Sequence, residues 1–180
     1  MDRPAGKSGL RVAFFPGCMG DKIYTGVSEA CLKVFEHHGV GVFLSDNFAC
    51  CGIPALVSGD REGVEKMIEH NLGILSRTHF DYIVTPCSSC TMTIKEYWPE
   101  MSRNLPASVQ ETAKKFGAKA IDINAFLVDV LGVHPEARQG WPEGDVPRIL
   151  PPEEIPRRQQ AAARAYQHEQ ELRTGGDGGA

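Results

Sequence analysis

Arg11-Val12-Ala13-Phe14-Phe15-Pro16-Gly17-Cys18 sets the fold: an apolar run behind Arg11, stopped by Pro16-Gly17, with a cysteine immediately beyond. An unbroken apolar run this short, bounded by turn residues, reads as a strand buried on both faces. The same order recurs twice. Val40-Gly41-Val42-Phe43-Leu44 leads into a loop from Ser45 to Pro54 that holds Cys50-Cys51-Gly52. Tyr82-Ile83-Val84-Thr85 runs directly into Pro86-Cys87-Ser88-Ser89-Cys90. Ala120-Ile121-Asp122-Ile123 reads as a fourth strand, without a cysteine.

Between these runs the hydrophobic period becomes helical. Val27, Cys31, Val34 and Phe35 recur at helical spacing from about Tyr24 to His38, and Gly39 supplies a stop. Asp60 is placed to cap a helix running to about Thr78, with Val64, Met67, Ile68, Leu72 and Leu75 on its buried stripe. Further helices are expected from Ser88 or Ser89 to Trp98-Pro99, from Ala107 to Phe116, and from Ala125 to Leu131. Strand and helix alternating throughout predict an α/β fold: a mostly parallel, Rossmann-like sheet with helices on both faces. In such sheets the functional crevice lies beyond the carboxyl ends of the strands. Cys18, Cys50, Cys51, Cys87 and Cys90 all follow strands, so one sheet edge should gather five thiols. Cys31 lies on an apolar helical stripe and reads as core, and Trp98 and Tyr97 read as packing residues.

Composition narrows the class. A formal net charge of −4 gives no basic face for nucleic acid. No apolar run approaches the roughly 18–20 residues of a membrane span, and the first ten residues lack a signal-peptide core. The expected compartment is therefore the reducing cytoplasm. A disulfide framework fits poorly, because adjacent Cys50-Cys51 would close only a strained ring. Residues 1–10 are polar and rich in Gly and Pro, which predicts a disordered N-terminus. The domain is expected over 11–132. Six of the twelve prolines fall between Pro135 and Pro156, so 133–180 reads as a proline-rich linker and flexible tail.

Five soft sulfur donors suit an iron–sulfur cluster. Cys87 and Cys90, at i and i+3, face one ligand from a helix's first turn, where amide groups and the helix dipole favour thiolates. A cubane [4Fe–4S] cluster takes four thiolates; five allow an additional or bridging sulfur ligand, or one cysteine in reserve. Zinc is the alternative cofactor, with four ligands and one cysteine left over.

Phe15-Pro16-Gly17-Cys18, Ala49-Cys50-Cys51-Gly52-Ile53-Pro54 and Thr85-Pro86-Cys87-Ser88-Ser89-Cys90 together resemble the cysteine-rich CCG domain. That domain occurs in heterodisulfide reductase and in iron–sulfur subunits of glycolate, lactate and anaerobic glycerol-3-phosphate oxidising enzymes. The resemblance implies a cluster-binding α/β domain, in some members with a non-cubane [4Fe–4S] cluster on all five cysteines. Those roles carry over to Cys18, Cys50, Cys51, Cys87 and Cys90. It further implies a subunit of an oxidoreductase complex that passes electrons from a flavin-linked dehydrogenase of a small hydroxy acid to a quinone, carrier or disulfide. Flavoprotein or iron–sulfur subunits are the expected partners, with any membrane association peripheral and through the complex. Many members carry two such domains in tandem and one is visible here. The chain is therefore expected to be a truncated or split member, or one that relies on a partner for the second half, and not active alone. The alternative is a non-catalytic, zinc-stabilised assembly domain that docks a redox partner.

Overall fold

The structure, a computed structural model, describes residues 1–133. Five strands form one sheet: β1 (Asp2–Arg3), β2 (Arg11–Phe14), β3 (Gly41–Phe43), β4 (Tyr82–Thr85) and β5 (Ala120–Asp122). Their spatial order is β1-β3-β2-β4-β5. β2 pairs in parallel with both β3 and β4, β4 pairs in parallel with β5, and only β1 runs antiparallel, along β3. This is the mostly parallel α/β sheet that the strand–helix alternation predicts.

Burial explains why β2 is central. Val12, Ala13, Phe14 and Phe15 are each fully buried. Successive side chains point to opposite faces, so two cores form. Val12 and Phe14 join Cys31, Phe35, Val42, Val84 and Phe126 on one face. Ala13 and Phe15 join Ile68, Leu75, Ile83, Trp98 and Phe116 on the other. The first face is covered by α2 (Thr25–His37) and by the C-terminal α8 (Ile123–Ala125) with its π turn (Phe126–Val130). The second is covered by α4 (Arg61–Leu75), α7 (Ala107–Gly117) and a composite helix. Two shorter helices, α1 (Gly17–Lys22) and α3 (Ile53–Val57), follow β2 and the Cys50-Cys51 loop. As expected, Asp60 caps α4, its carboxylate accepting from Gly63 N–H at 2.9 Å.

Several expectations need correction. Residues 1–10 are not disordered. Asp2–Arg3 pairs with β3, Leu44 N–H donates to the Met1 carbonyl at 2.9 Å, and Gly6 N–H donates to the Gly39 carbonyl at 3.0 Å. An edge strand is recruited through backbone groups, so polar side chains do not prevent it. α4 ends at Leu75, short of Thr78. Val27 is 48% exposed, because the first turn of α2 sits beside exposed Ile23 and Tyr24 and packing onto the sheet begins at Cys31.

The composite helix continues through Pro99 instead of ending there. It comprises α5 (Ser88–Met92), a π turn (Thr93–Tyr97) and α6 (Trp98–Met101). Within it Trp98 N–H bonds to Thr93 O, five residues back, and Pro99 falls in the first turn of α6, where no N–H is needed. The expectation of a linker and tail over 133–180 concerns, beyond Val133, residues outside the described ones.

Gly41 tests the ordered N-terminus. A Cβ there would lie 2.5 Å from Ala5 N and 2.7 Å from the Pro4 carbonyl carbon, both backbone atoms that cannot swing away. Gly41→Ala is expected to cost about 1–3 kcal/mol in urea unfolding. It should also raise hydrogen exchange at Asp2 and Arg3 well above that elsewhere in the sheet.

Candidate metal centre

The chain runs from β2 through α2 to β3, then crosses back over β2 to β4. The two directions part between β2 and β4, the topological switch point where open α/β sheets bind ligands. Cys18 leaves β2 at that point, and Cys87 and Cys90 leave β4. Cys50 and Cys51 arrive from the long connection after β3.

Each cysteine is positioned by local backbone chemistry. Cys18 lies in α1, behind Gly17 with φ of +71°. A side chain at Gly17 would be strained in that conformation, and its Cβ would stand 2.9 Å from Cys90 Sγ. Gly52, with φ of +103°, turns the chain from Cys51 into α3. Cys87 is the N-cap of α5, and buried Thr85 clamps it. The Thr85 hydroxyl accepts from Cys87 N–H at 3.0 Å and donates to Cys87 O at 2.9 Å.

The thiols form a connected row. Cys18 and Cys50 Sγ are 3.5 Å apart, as are Cys51 and Cys90 Sγ. Cys87 Sγ is 3.1 Å from the Ser89 hydroxyl and also interacts with the Cys90 thiol. Cys51 and Cys90 are buried, Cys50 and Cys87 half-buried, and Cys18 exposed. A cavity of about 180 Å³ opens on Cys18 and Cys50, walled by Pro16, Gly17, Phe48 and Ala49. All five sequence-predicted thiols therefore reach one edge. Among the described residues no three His, Cys, Asp or Glu side chains form a single ion-binding group; the close sulfur contacts are Cys18 to Cys50 and Cys51 to Cys90.

Proton sharing follows from that pairing. The Cys90 thiol donates to Cys51, pulling Cys51 down to about 6 and pushing Cys90 up. Burial raises Cys50 to about 12, against the opposing effect of Gly52 N–H. At Cys87 burial acts upward too, but the Ser89 hydroxyl and the N–H groups of Cys90 and Ser89 outweigh it and the net shift is downward. Amide groups at the start of α5 thus favour the Cys87 thiolate, as the sequence pattern implies. Cys31 is 6% exposed in the opposite core, as its apolar stripe predicts.

Two residues escaped the sequence reading. Asn71, fully buried on α4, holds the backbone of Ala49 and Cys50, and the Trp98 indole N–H donates to Cys51 O at 2.8 Å. The available signal was an amide among Ile68, Leu72 and Leu75, a position where a helix otherwise buries apolar residues.

Fold and donor set together define a thiol-lined α/β domain. Residues 12–95 match the CCG cysteine-rich domain family. Lactate utilization protein A of Exiguobacterium sp. is 33% identical over 122 residues, 68% of this chain and 49% of that protein. An uncharacterized iron–sulfur protein of Methanocaldococcus jannaschii is 38% identical over 97 residues, 54% of this chain and 20% of that protein. A fumarate reductase (CoM/CoB) subunit of Methanothermobacter marburgensis is 32% identical over 121 residues, 67% of this chain and 22% of that protein. The chain thus spans half or less of the length of each.

Cys31 separates packing from ligation. Cys31→Ser is expected to keep the metal content of the wild type and to lose about 1–2 kcal/mol of stability, from a hydroxyl buried in an apolar site. Cys18→Ser, Cys50→Ser and Cys87→Ser should each lose or remodel the metal centre. Metal analysis and urea unfolding on the same preparations check both halves.

Proposed function

We propose that Cys18, Cys50, Cys51, Cys87 and Cys90 hold a [4Fe–4S] cluster, with the fifth thiolate allowing a non-cubane form. The observation that carries this is the five-thiol row at the switch point. The donor set fits the group: every side-chain donor in the row is sulfur, and Gly17 leaves free the space a Cβ would fill against Cys90. When bound, such a cluster exchanges single electrons. The chain's own groups would tune it. Burial of Cys51 and Cys90 excludes water, and N–H groups from Gly52, Ile53, Ser89 and Cys90 favour the thiolate forms.

The functional reading is an iron–sulfur electron-transfer subunit of an oxidoreductase complex, inactive alone. The names of the similar proteins support it, being a lactate utilization protein, an iron–sulfur protein and a fumarate reductase subunit. Electrons would enter from a flavin-linked dehydrogenase of a small hydroxy acid of the glycolate or lactate type. They would leave to a quinone, carrier or disulfide, with flavoprotein or iron–sulfur subunits as partners. Among the described residues no helix is long and apolar enough to cross a membrane, so contact with a membrane quinone would run through the complex. Five free thiols favour a reducing compartment such as the cytoplasm. The cluster-binding unit is read as 11–132 together with the first ten residues, which pair with β3.

Zinc is the second reading, since the two close pairs supply the four thiols that a structural zinc takes. It would make the domain a non-catalytic docking module. It leaves Cys87 unused, although Cys87 is the thiol best supplied with N–H donors.

Anaerobic purification and reconstitution separate the two. The expected product is brown, with about four irons per chain and matching acid-labile sulfide. A colourless protein with one zinc per chain would overturn the cluster assignment.

A further inference from the structure

Three carbonyls and one N–H of the Ala49–Cys51 backbone are held by only two side chains. Asn71 Oδ1 accepts from Ala49 N–H at 2.9 Å, and its Nδ2 donates to Cys50 O at 3.0 Å and Ala49 O at 3.4 Å. Trp98 Nε1 donates to Cys51 O at 2.8 Å. Both side chains are fully buried, and burying their polar atoms unpaired would be costly. Their hydrogen-bonding capacity is directed at the one loop that carries the adjacent cysteines.

A planar trans peptide fixes what this does to the sulfurs. Its C=O and N–H point in opposite directions, so a side chain that holds the oxygen also aims the hydrogen. The described peptides are all trans. With Cys51 O drawn to Trp98, the N–H of the same peptide unit, that of Gly52, points away from the indole and acts on Cys50 sulfur. Asn71 likewise fixes the peptide joining Cys50 to Cys51. The π turn is what delivers the indole. Each residue added to a helix rotates the later side chains by about 100°, so without the widened turn Trp98 would be aimed elsewhere while Cys90 kept its place.

We propose that Asn71 and Trp98 are positioning residues that orient the Cys50-Cys51 peptides and thereby set the presentation and hydrogen bonding of the Cys50 sulfur. Their hydrogen bonds go to the loop backbone and not to a sulfur. The proposal deepens the cluster reading and rests on it for one of its two consequences. Hydrogen bonds to ligand sulfurs are among the factors that set a cluster's potential, and each one lost disfavours the reduced, more negative state. The other consequence concerns the metal-free protein: a loop released from the indole exposes Cys50 more often.

The test uses the full chain in three forms. Trp98→Phe keeps the aromatic packing on Phe15 (ring centroids 6.1 Å apart in the wild type) and deletes the N–H. Asn71→Asp keeps the acceptor for Ala49 and deletes the donor to Cys50 O. Phe116→Leu loosens the same core, removes no hydrogen bond to the loop, and controls for stability. In metal-free protein, alkylation of Cys50, followed by peptide mass spectrometry, should rise about threefold to tenfold in the first two variants, the range one net hydrogen bond supports, and stay at the wild-type rate in Phe116→Leu. After reconstitution with ferrous iron and sulfide, the first two variants should titrate at a more negative midpoint potential, with shifted electron-paramagnetic-resonance g-values. Unchanged alkylation and potential in Trp98→Phe, or equal changes in Phe116→Leu, would overturn the positioning role. A wild type that takes up no iron defeats the cluster reading, and the alkylation rates still decide this one. Should one loop variant fail to fold, the other carries both measurements.

Discussion

Burial of β2 on both faces from Val12 onward is the constraint on which the rest of the molecule depends. A strand whose side chains are shut off on both faces needs helices above and below and neighbours on both edges. The chain therefore builds outward to β3, then crosses back over β2 to β4, and that reversal opens a crevice at the carboxyl ends. Thiols that are scattered through the sequence meet there because three strands end together. No short-range spacing is required, which is why the single Cys87-x-x-Cys90 knuckle can belong to a larger site.

Electrostatics then limit what the thiols can do without a cation. Two thiolates in contact, as the sulfurs of Cys18 and Cys50 and of Cys51 and Cys90 are, would repel one another, which favours keeping a proton in each pair. Between Cys51 and Cys90 the Cys90 thiol donates and the Cys51 sulfur accepts. A soft cationic core would replace those shared protons with metal–sulfur bonds, releasing protons as it binds. The amide groups at the starts of α3 and α5 are already turned toward the sulfurs and need no rearrangement to serve the charged form.

Most of the fold was legible because it rests on hydrophobic period and turn residues. The runs at Arg11–Phe15, Val40–Leu44 and Tyr82–Thr85 announced themselves as buried strands, and their order placed the cysteines at one edge. Three features were not legible, for different reasons. β1 is held by its backbone, so the polar composition of residues 1–10 carried no sign of pairing. The π turn leaves little trace in side-chain pattern, and Pro99 suggested a helix end because its missing N–H is harmless only when a new turn starts there. Asn71 and Trp98 looked like an irregularity and a packing residue, because what they bind is loop backbone, which a hydropathy pattern does not display. The convergence of the five cysteines could thus be read from sequence, while the side chains that hold their loop needed coordinates.

The π turn between Met92 and Trp98 also governs how such a domain tolerates changes in length. It holds one residue more than the surrounding helix requires, and Gly117 lets α7 approach the carbonyls of Ile94 and Lys95. Deleting one residue there would restore regular helix and improve local geometry, yet it would rotate everything after it out of phase with everything before it. Cys90 would stay at the switch point, and the indole would leave Cys51. Helical regularity and correct aim are therefore opposed in this segment, and the sequence keeps the less regular helix.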